Sequence, residues 1–148
     1  MATYLQIEKE LYEDTKIDSL NLGEEALRCS RLHSKWLRYF NEFRVKYNEQ
    51  NRLVLEMEGL RSRYYEDELT REELEERGWV EWNKGNKRKT NAAKALLLET
   101  DPVLLPMRDK LFRTKLCADT CEEALKEIKQ RGFNIKTSVE WAKFQAGS

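Results

Sequence analysis

Two stretches of this chain interleave cations with aromatic rings: Arg61, Arg63, Tyr64 and Tyr65, and then Trp79, Trp82, Lys84, Lys87, Arg88 and Lys89. A single nucleic-acid strand held without sequence choice asks for that combination. Cations track the phosphates, and exposed π-faces stack on the bases at ~1–3 kcal/mol each. Each stretch also has a plainer reading. The tyrosines can be core residues with the arginines paired to Glu58 or Glu66, Tyr64 being the expected core member because it falls on an apolar stripe. A basic loop is more often only a solvated surface, although two tryptophans within four loop residues need burial or a ligand.

The other reactive side chains form no constellation. Cys117 and Cys121 stand four apart on one helix face, and sharing a metal with His33, the chain's single histidine, is the functional reading of that spacing. A zinc site takes three or four protein ligands, so buried free thiols are the expectation. There is no glycine-rich phosphate loop, Walker pattern or nucleophile–base arrangement. Glu72-Glu73 and Glu75-Glu76 read as a solvated helix face. Neither an enzyme, a metal nor a cofactor is expected.

The elements that must position these residues are helical. From about residue 19 to 66, apolar residues recur at Cys29, Leu32, Trp36, Phe40, Phe43, Tyr47, Val54, Met57, Leu60 and Tyr64, in steps of three and four broken only by Gln50. That is the period of one long helix, with Arg31, Lys35, Arg38, Glu42, Glu49, Arg52 and Glu56 opposite the stripe. Asp18 and Ser19 are its candidate N-caps. At 1.5 Å per residue it would reach roughly 65–70 Å, so its stripe needs the rest of the chain or other copies as a partner.

A short helix is expected over residues 3–12. Thr70 with Glu73, and Gly78 after Arg77, bracket another at Arg71–Arg77. Residues 79–91 read as a loop, and 92–98 as one or two further turns. Asp101-Pro102 opens a second long helix over about 102–131. Gly132 is its expected stop, with Phe133 packed back on Ile128. Thr137 with Glu140 then opens a last short helix. The fold class is all-α, a single helical domain over 1–148 with 67–91 as a charged loop and short-helix insertion. Trp36, Phe40, Phe43, Tyr47, Leu125, Ile128, Phe133, Trp141 and Phe144 are the expected core or oligomer seam.

Composition narrows the partners. The chain has 148 residues, 36% of them charged, a mean hydropathy of -0.82 and zero formal charge from 27 basic and 27 acidic side chains. No global field therefore announces a polyanion. The charge is striped instead. Residues 1–28 and 67–77 are each acidic by four, and 78–94 are basic by four. No apolar run approaches a membrane span. Three cysteines without framework spacing, and an amino terminus lacking a basic region and an apolar core, point to a reducing cytoplasm.

A family resemblance rests on five separated segments: Lys16-Ile17-Asp18-Ser19, Ser34-Lys35-Trp36-Leu37, Tyr64-Tyr65, Arg131-Gly132-Phe133-Asn134-Ile135-Lys136 and Phe144-Gln145-Ala146-Gly147. Their order and spacing resemble the UvsY family of recombination mediators of T-even-type phages, over roughly residues 11–66 and 92–148. Residues 67–91 depart from the family pattern in being longer and more charged. The resemblance implies a hexameric or heptameric ring that binds single-stranded DNA. It also implies a non-catalytic role in helping a RecA-like phage recombinase displace the single-strand-binding protein, in the cytoplasm of the infected bacterial host. The alternative is a structural or adaptor oligomer that does not touch nucleic acid.

Overall fold

The computed structural model describes residues 2–82 and 90–147, and among them the chain is all-α. Five helices follow one another: α1 Tyr4–Asp14, α2 Leu22–Tyr65, α3 Arg71–Arg77, α4 Asn91–Glu99 and α5 Leu104–Gly147. The two long helices, each of 44 residues, pack together, and the chain divides into two compact units. The first comprises residues 1–47 and 113–148, the second 48–112. No helix among the described residues is long and apolar enough to cross a membrane.

The helix ends follow local chemistry. At α1, Thr3 Oγ1 accepts from the Gln6 amide while Gln6 Oε1 accepts from the Thr3 amide, a reciprocal capping box. The long helix begins at Leu22, three residues later than Ser19, because Asp18 accepts from the Leu20 amide and the Asn21 side chain and so closes a turn of its own. Its other end is a left-handed stop. Asp67 has φ 54°, the Asp67 amide donates to Tyr64 O and the Glu68 amide to Arg63 O, at 3.2 and 2.9 Å.

Unit 1 buries Ile7 of α1, Leu32, Trp36 and Phe43 of α2, and Cys117, Ala118, Cys121, Ala124 and Ile128 of α5. The 3.6 period is thus realised on all three helices. Trp36 is fully buried, and its indole donates to Asp14 at 3.1 Å; Lys35 reaches the same carboxylate at 2.7 Å and Glu10 at 3.2 Å. The end of α1 is fixed to α2 in this way. Burial, with the neighbouring Cys117 adding to it, pushes the Cys121 thiol up to about 12, which leaves it protonated and inert at neutral pH.

Three expectations fail around Gly132. The helix does not stop there: α5 continues to Gly147, and Thr137 bonds back to Phe133 O at 3.1 Å inside it, capping nothing. Tertiary contacts on both sides of the glycine override its local preference. Arg131 is buried against α2, paired with Glu25 and donating to Glu25 O, Cys29 Sγ and Lys16 O, while Ile135 is buried one turn on. Phe133 consequently faces away from Ile128 and is 64% exposed. The expected core seam divides accordingly. Trp36, Phe43 and Ile128 are buried and Phe40, Tyr47 and Leu125 half-buried, whereas Trp141 and Phe144 are as exposed as Phe133.

A Cβ at Gly132 would sit in ordinary contact, 3.9 Å from Cys29 Sγ. Gly132→Ala should therefore stabilise the protein by about 0.5–1 kcal/mol in urea unfolding, through helix propensity. A left-handed helix stop at this position would give the opposite sign.

An arginine-centred aromatic cluster at the end of α2

Unit 2 is built around a cation. Arg61 is 5% exposed, and its Nε donates to Asp101 Oδ2 at 2.7 Å while Nη2 reaches the Tyr65 hydroxyl at 3.3 Å. Tyr65 is buried as well, and its hydroxyl donates to the same Asp101 oxygen. The guanidinium carbon lies 4.3 Å from the Tyr64 ring centroid, 4.6 Å from Trp79 and 5.2 Å from Tyr65. A planar, weakly hydrated cation suits several rings at once.

Local sequence explains how the rings come together. Val54, Arg61 and Tyr65 are the buried positions on this part of α2, a helical spacing of seven and four that puts the arginine on the stripe. Tyr65, and not the expected Tyr64, is therefore the deeper tyrosine. The chain then turns at Asp67 and enters α3, whose N-cap Thr70 accepts from the Glu73 amide at 3.2 Å. Gly78, at φ 69°, ends α3, and the Trp79 amide returns to Leu74 O at 2.9 Å. This places Trp79 5.4 Å from Tyr64, ring to ring, with Trp82 4.9 Å from Tyr65 and the Tyr64 hydroxyl donating to Val80 O.

Asp101 serves two helices. Its Oδ1 accepts from the amides of Val103 and Leu104 at 2.8 and 2.9 Å, capping α5 as the Asp-Pro pair implies, while Oδ2 holds Arg61 and Tyr65. Burial works to raise the Asp101 carboxyl. The hydrogen bonds from Tyr65, Arg61 and the two amides outweigh it, so the group lies below the ordinary aspartate range. Burial also opposes the charge on Arg61, and its Asp101 and Tyr65 partners reverse that effect and hold its pKa above the usual value. Tyr65 is raised, by burial first and then by its bond to the carboxylate.

The sequence-predicted contact residues fall into three groups. Arg61 and Tyr65, expected on a nucleic-acid face, are buried and form the interior of the cluster. Arg63 and Trp82 are exposed, Arg63 with Glu73 at 3.5 Å and Trp82 at 40% exposure. Lys84, Lys87, Arg88 and Lys89 lie outside the described residues. Beside the rings is a hollow of about 530 Å³ lined, among the described residues, by Tyr64, Trp79 and Trp82, with Asp67, Glu75 and Glu81 against one cation, Arg71. Arg71 itself lies 3.4 Å from Glu75. The described lining offers ring faces and carboxylates. Sequence reading missed Asp101 as a member of this cluster, since a partner forty residues from Arg61 leaves no local signal.

Asp101→Asn should cost about 3–5 kcal/mol near neutral pH, because an amide that keeps its oxygen on the α5 amides turns an N–H toward the buried Arg61. A carboxyl held below its unfolded value contributes stability that is fully present above about pH 4 and is lost as pH falls through the native pKa. Urea titrations of both proteins should therefore converge under acid and diverge toward pH 7.

Comparison with known proteins places the chain. The family described as "Recombination, repair and ssDNA binding protein UvsY" matches residues 10–148. No curated protein sequence matches. Among solved structures, the chain is similar to the bacteriophage T4 recombination mediator protein UvsY in several lattices. One aligns with a TM-score of 0.82 at 24% identity over 99% of each chain. A second gives 0.81 at 24% identity over 97% of this chain and 99% of that one, and a third 0.77 at 25% over 94% and 98%. At such identities the likeness establishes the fold. The match to the family itself spans nearly all of the sequence, and the chain belongs to the UvsY family of recombination, repair and single-stranded-DNA-binding proteins, a non-enzymatic family.

Proposed function

We propose that this chain is a recombination mediator. In this reading it forms a closed ring of six or seven copies in the cytoplasm of an infected bacterial host, binds single-stranded DNA, and promotes loading of a RecA-like phage recombinase onto DNA coated by the single-strand-binding protein. The observation that carries the DNA part is the gathering of Tyr64, Trp79 and Trp82 into one cluster beside the exposed Arg63 at the end of α2. Rings supply sequence-tolerant stacking. The cations that track phosphate are Arg63 together with Lys84, Lys87, Arg88 and Lys89.

Self-association is supported from unit 1. Trp141 and Phe144 stack at 5.6 Å and are 60% and 65% exposed, and Phe133 lies on the same helix. Three large rings left in water on one helix are a costly surface for a lone subunit. The zero formal charge of the chain fits the same reading. Weak contacts repeated around an oligomer give avidity that a single copy lacks.

Native mass spectrometry with and without a dT oligonucleotide is the direct test. A closed oligomer that takes up DNA is expected, and a dimer indifferent to DNA would favour an adaptor instead. With about four cations per contact, log K should fall with log salt at a slope of roughly -3, and replacing Lys87, Arg88 and Lys89 together by alanine should flatten that slope without changing the oligomer. Trp141→Asp combined with Phe144→Asp should do the reverse, lowering the native mass while circular dichroism stays helical.

A further inference from the structure

Arg61 is the residue a sequence reader would choose as a phosphate contact, yet it is 5% exposed and already paired inside the protein. Its Nε is taken by Asp101 at 2.7 Å, its Nη2 faces the Tyr65 hydroxyl at 3.3 Å, and its flat face is covered by Tyr64 and Trp79. The charge is already neutralised inside the protein. What the guanidinium does reach is the rings of Tyr64 and Trp79, both half-buried. Tyr64 is half-buried, sits against Trp79 and Trp82 at 5.4 and 6.2 Å, and ties down the backbone between them through Val80 O.

Asp101 extends this arrangement to α5. It is 0% exposed, so nothing outside the protein touches it, yet it binds the Arg61 and Tyr65 side chains with one oxygen and the first amides of α5 with the other. Rotating or losing the carboxylate releases Arg61, and with Arg61 the surface on which Tyr64 and Trp79 rest. Rings already fixed lose less freedom when a base stacks on them, and that saving appears as affinity.

We propose that Arg61 and Asp101 are positioning residues for base stacking. The pair touches no DNA and sets the orientation of Tyr64, Trp79 and Trp82, so it contributes to single-strand affinity without contributing to its salt dependence. This inference rests on the reading of the chain as a single-stranded-DNA-binding mediator and adds to it which residues support the stacking surface.

The test uses the full chain, a fluorescently labelled dT oligonucleotide and a range of salt concentrations, with tryptophan quenching followed in parallel. Arg61→Lys keeps the charge and removes the planar face. It should bind roughly tenfold more weakly, about one base stack, with reduced quenching and an unchanged salt slope. Asp101→Asn should show the same pattern although its side chain is out of reach of DNA. Arg63→Ala, the contrast, should reduce the slope by about 0.7, the single-strand value for one phosphate contact. A merely structural role would lower thermal stability in Arg61→Lys and leave affinity and quenching at wild-type values, and that result overturns the proposal. A slope that falls in Arg61→Ala as it does in Arg63→Ala also overturns it, since Arg61 would then be a phosphate contact. If Asp101→Asn does not fold, Arg61→Lys decides alone. Wild-type protein that fails to bind the oligonucleotide removes the mediator reading and this inference together, whereas wild-type binding with indifferent variants removes only the inference.

Discussion

The shortage of apolar material governs this chain. Two helices of 44 residues each must bury a stripe in a sequence that is 36% charged, with a mean hydropathy of -0.82. The solution in both units is a buried arginine. Arg131 closes the polar end of unit 1 against Glu25, Lys16 O and Cys29, and Arg61 occupies a stripe position of α2 in unit 2. The long apolar stem of arginine fills the space a leucine would take, and its head then needs partners that a core does not ordinarily provide. The two heads are treated differently. Burial pulls the Arg131 pKa down, with Asp14 only partly opposing it, whereas the Asp101 and Tyr65 partners lift Arg61. The Arg61 pair sits beside the aromatic cluster.

A buried ion pair is a poor way to gain net stability and an effective way to fix geometry, because removing one partner leaves the other charged and dry. Asp101 illustrates this with four acceptor interactions from one carboxylate. Two of them would be made by any N-cap aspartate. The other two join α5 to α2 at one point within unit 2, and no apolar contact in that place could specify direction as well.

Local signals made much of this legible in the sequence. The stripe from Cys29 onward gave the long helix, and Thr70, Glu73 and Gly78 bracket α3 with the bounds observed. Asp101 before Pro102 marked the start of α5 to within two residues. The misreadings all sit where a distant partner outweighs a local preference. Gly132 has the form of a helix stop, but Arg131 and Ile135 are anchored on either side of it. Tyr64 continues the apolar period of α2, but Asp101 selects the register of Arg61 and Tyr65 in its place. Phe133, Trp141 and Phe144, expected as core or oligomer seam, are 64%, 60% and 65% exposed and so lie outside the core of one copy, which leaves the seam reading untouched. Periodicity reports that a face is apolar and is silent on what lies against it. At the candidate site the rings were legible and the buried pair beneath them was not.

Separating the two kinds of contact resolves a tension in the electrostatics. A chain of zero net charge, with Asp67, Glu75 and Glu81 around its aromatic hollow, is an unpromising binder of polyanions if every arginine near the rings is counted as a phosphate ligand. Counterion release requires a cation that is free to exchange salt for phosphate. Arg61 has already exchanged its salt for Asp101. Its remaining asset is its shape: a flat, delocalised cation presents one polarisable face to Tyr64 and Trp79, which the compact ammonium of a lysine cannot do. In the proposal stacking and charge are accordingly assigned to different residues. On that reading the carboxylates around the hollow cost stacking little, since a base is neutral. The acidic residues beside the rings, which first look like evidence against nucleic acid, are on this reading compatible with a stacked base.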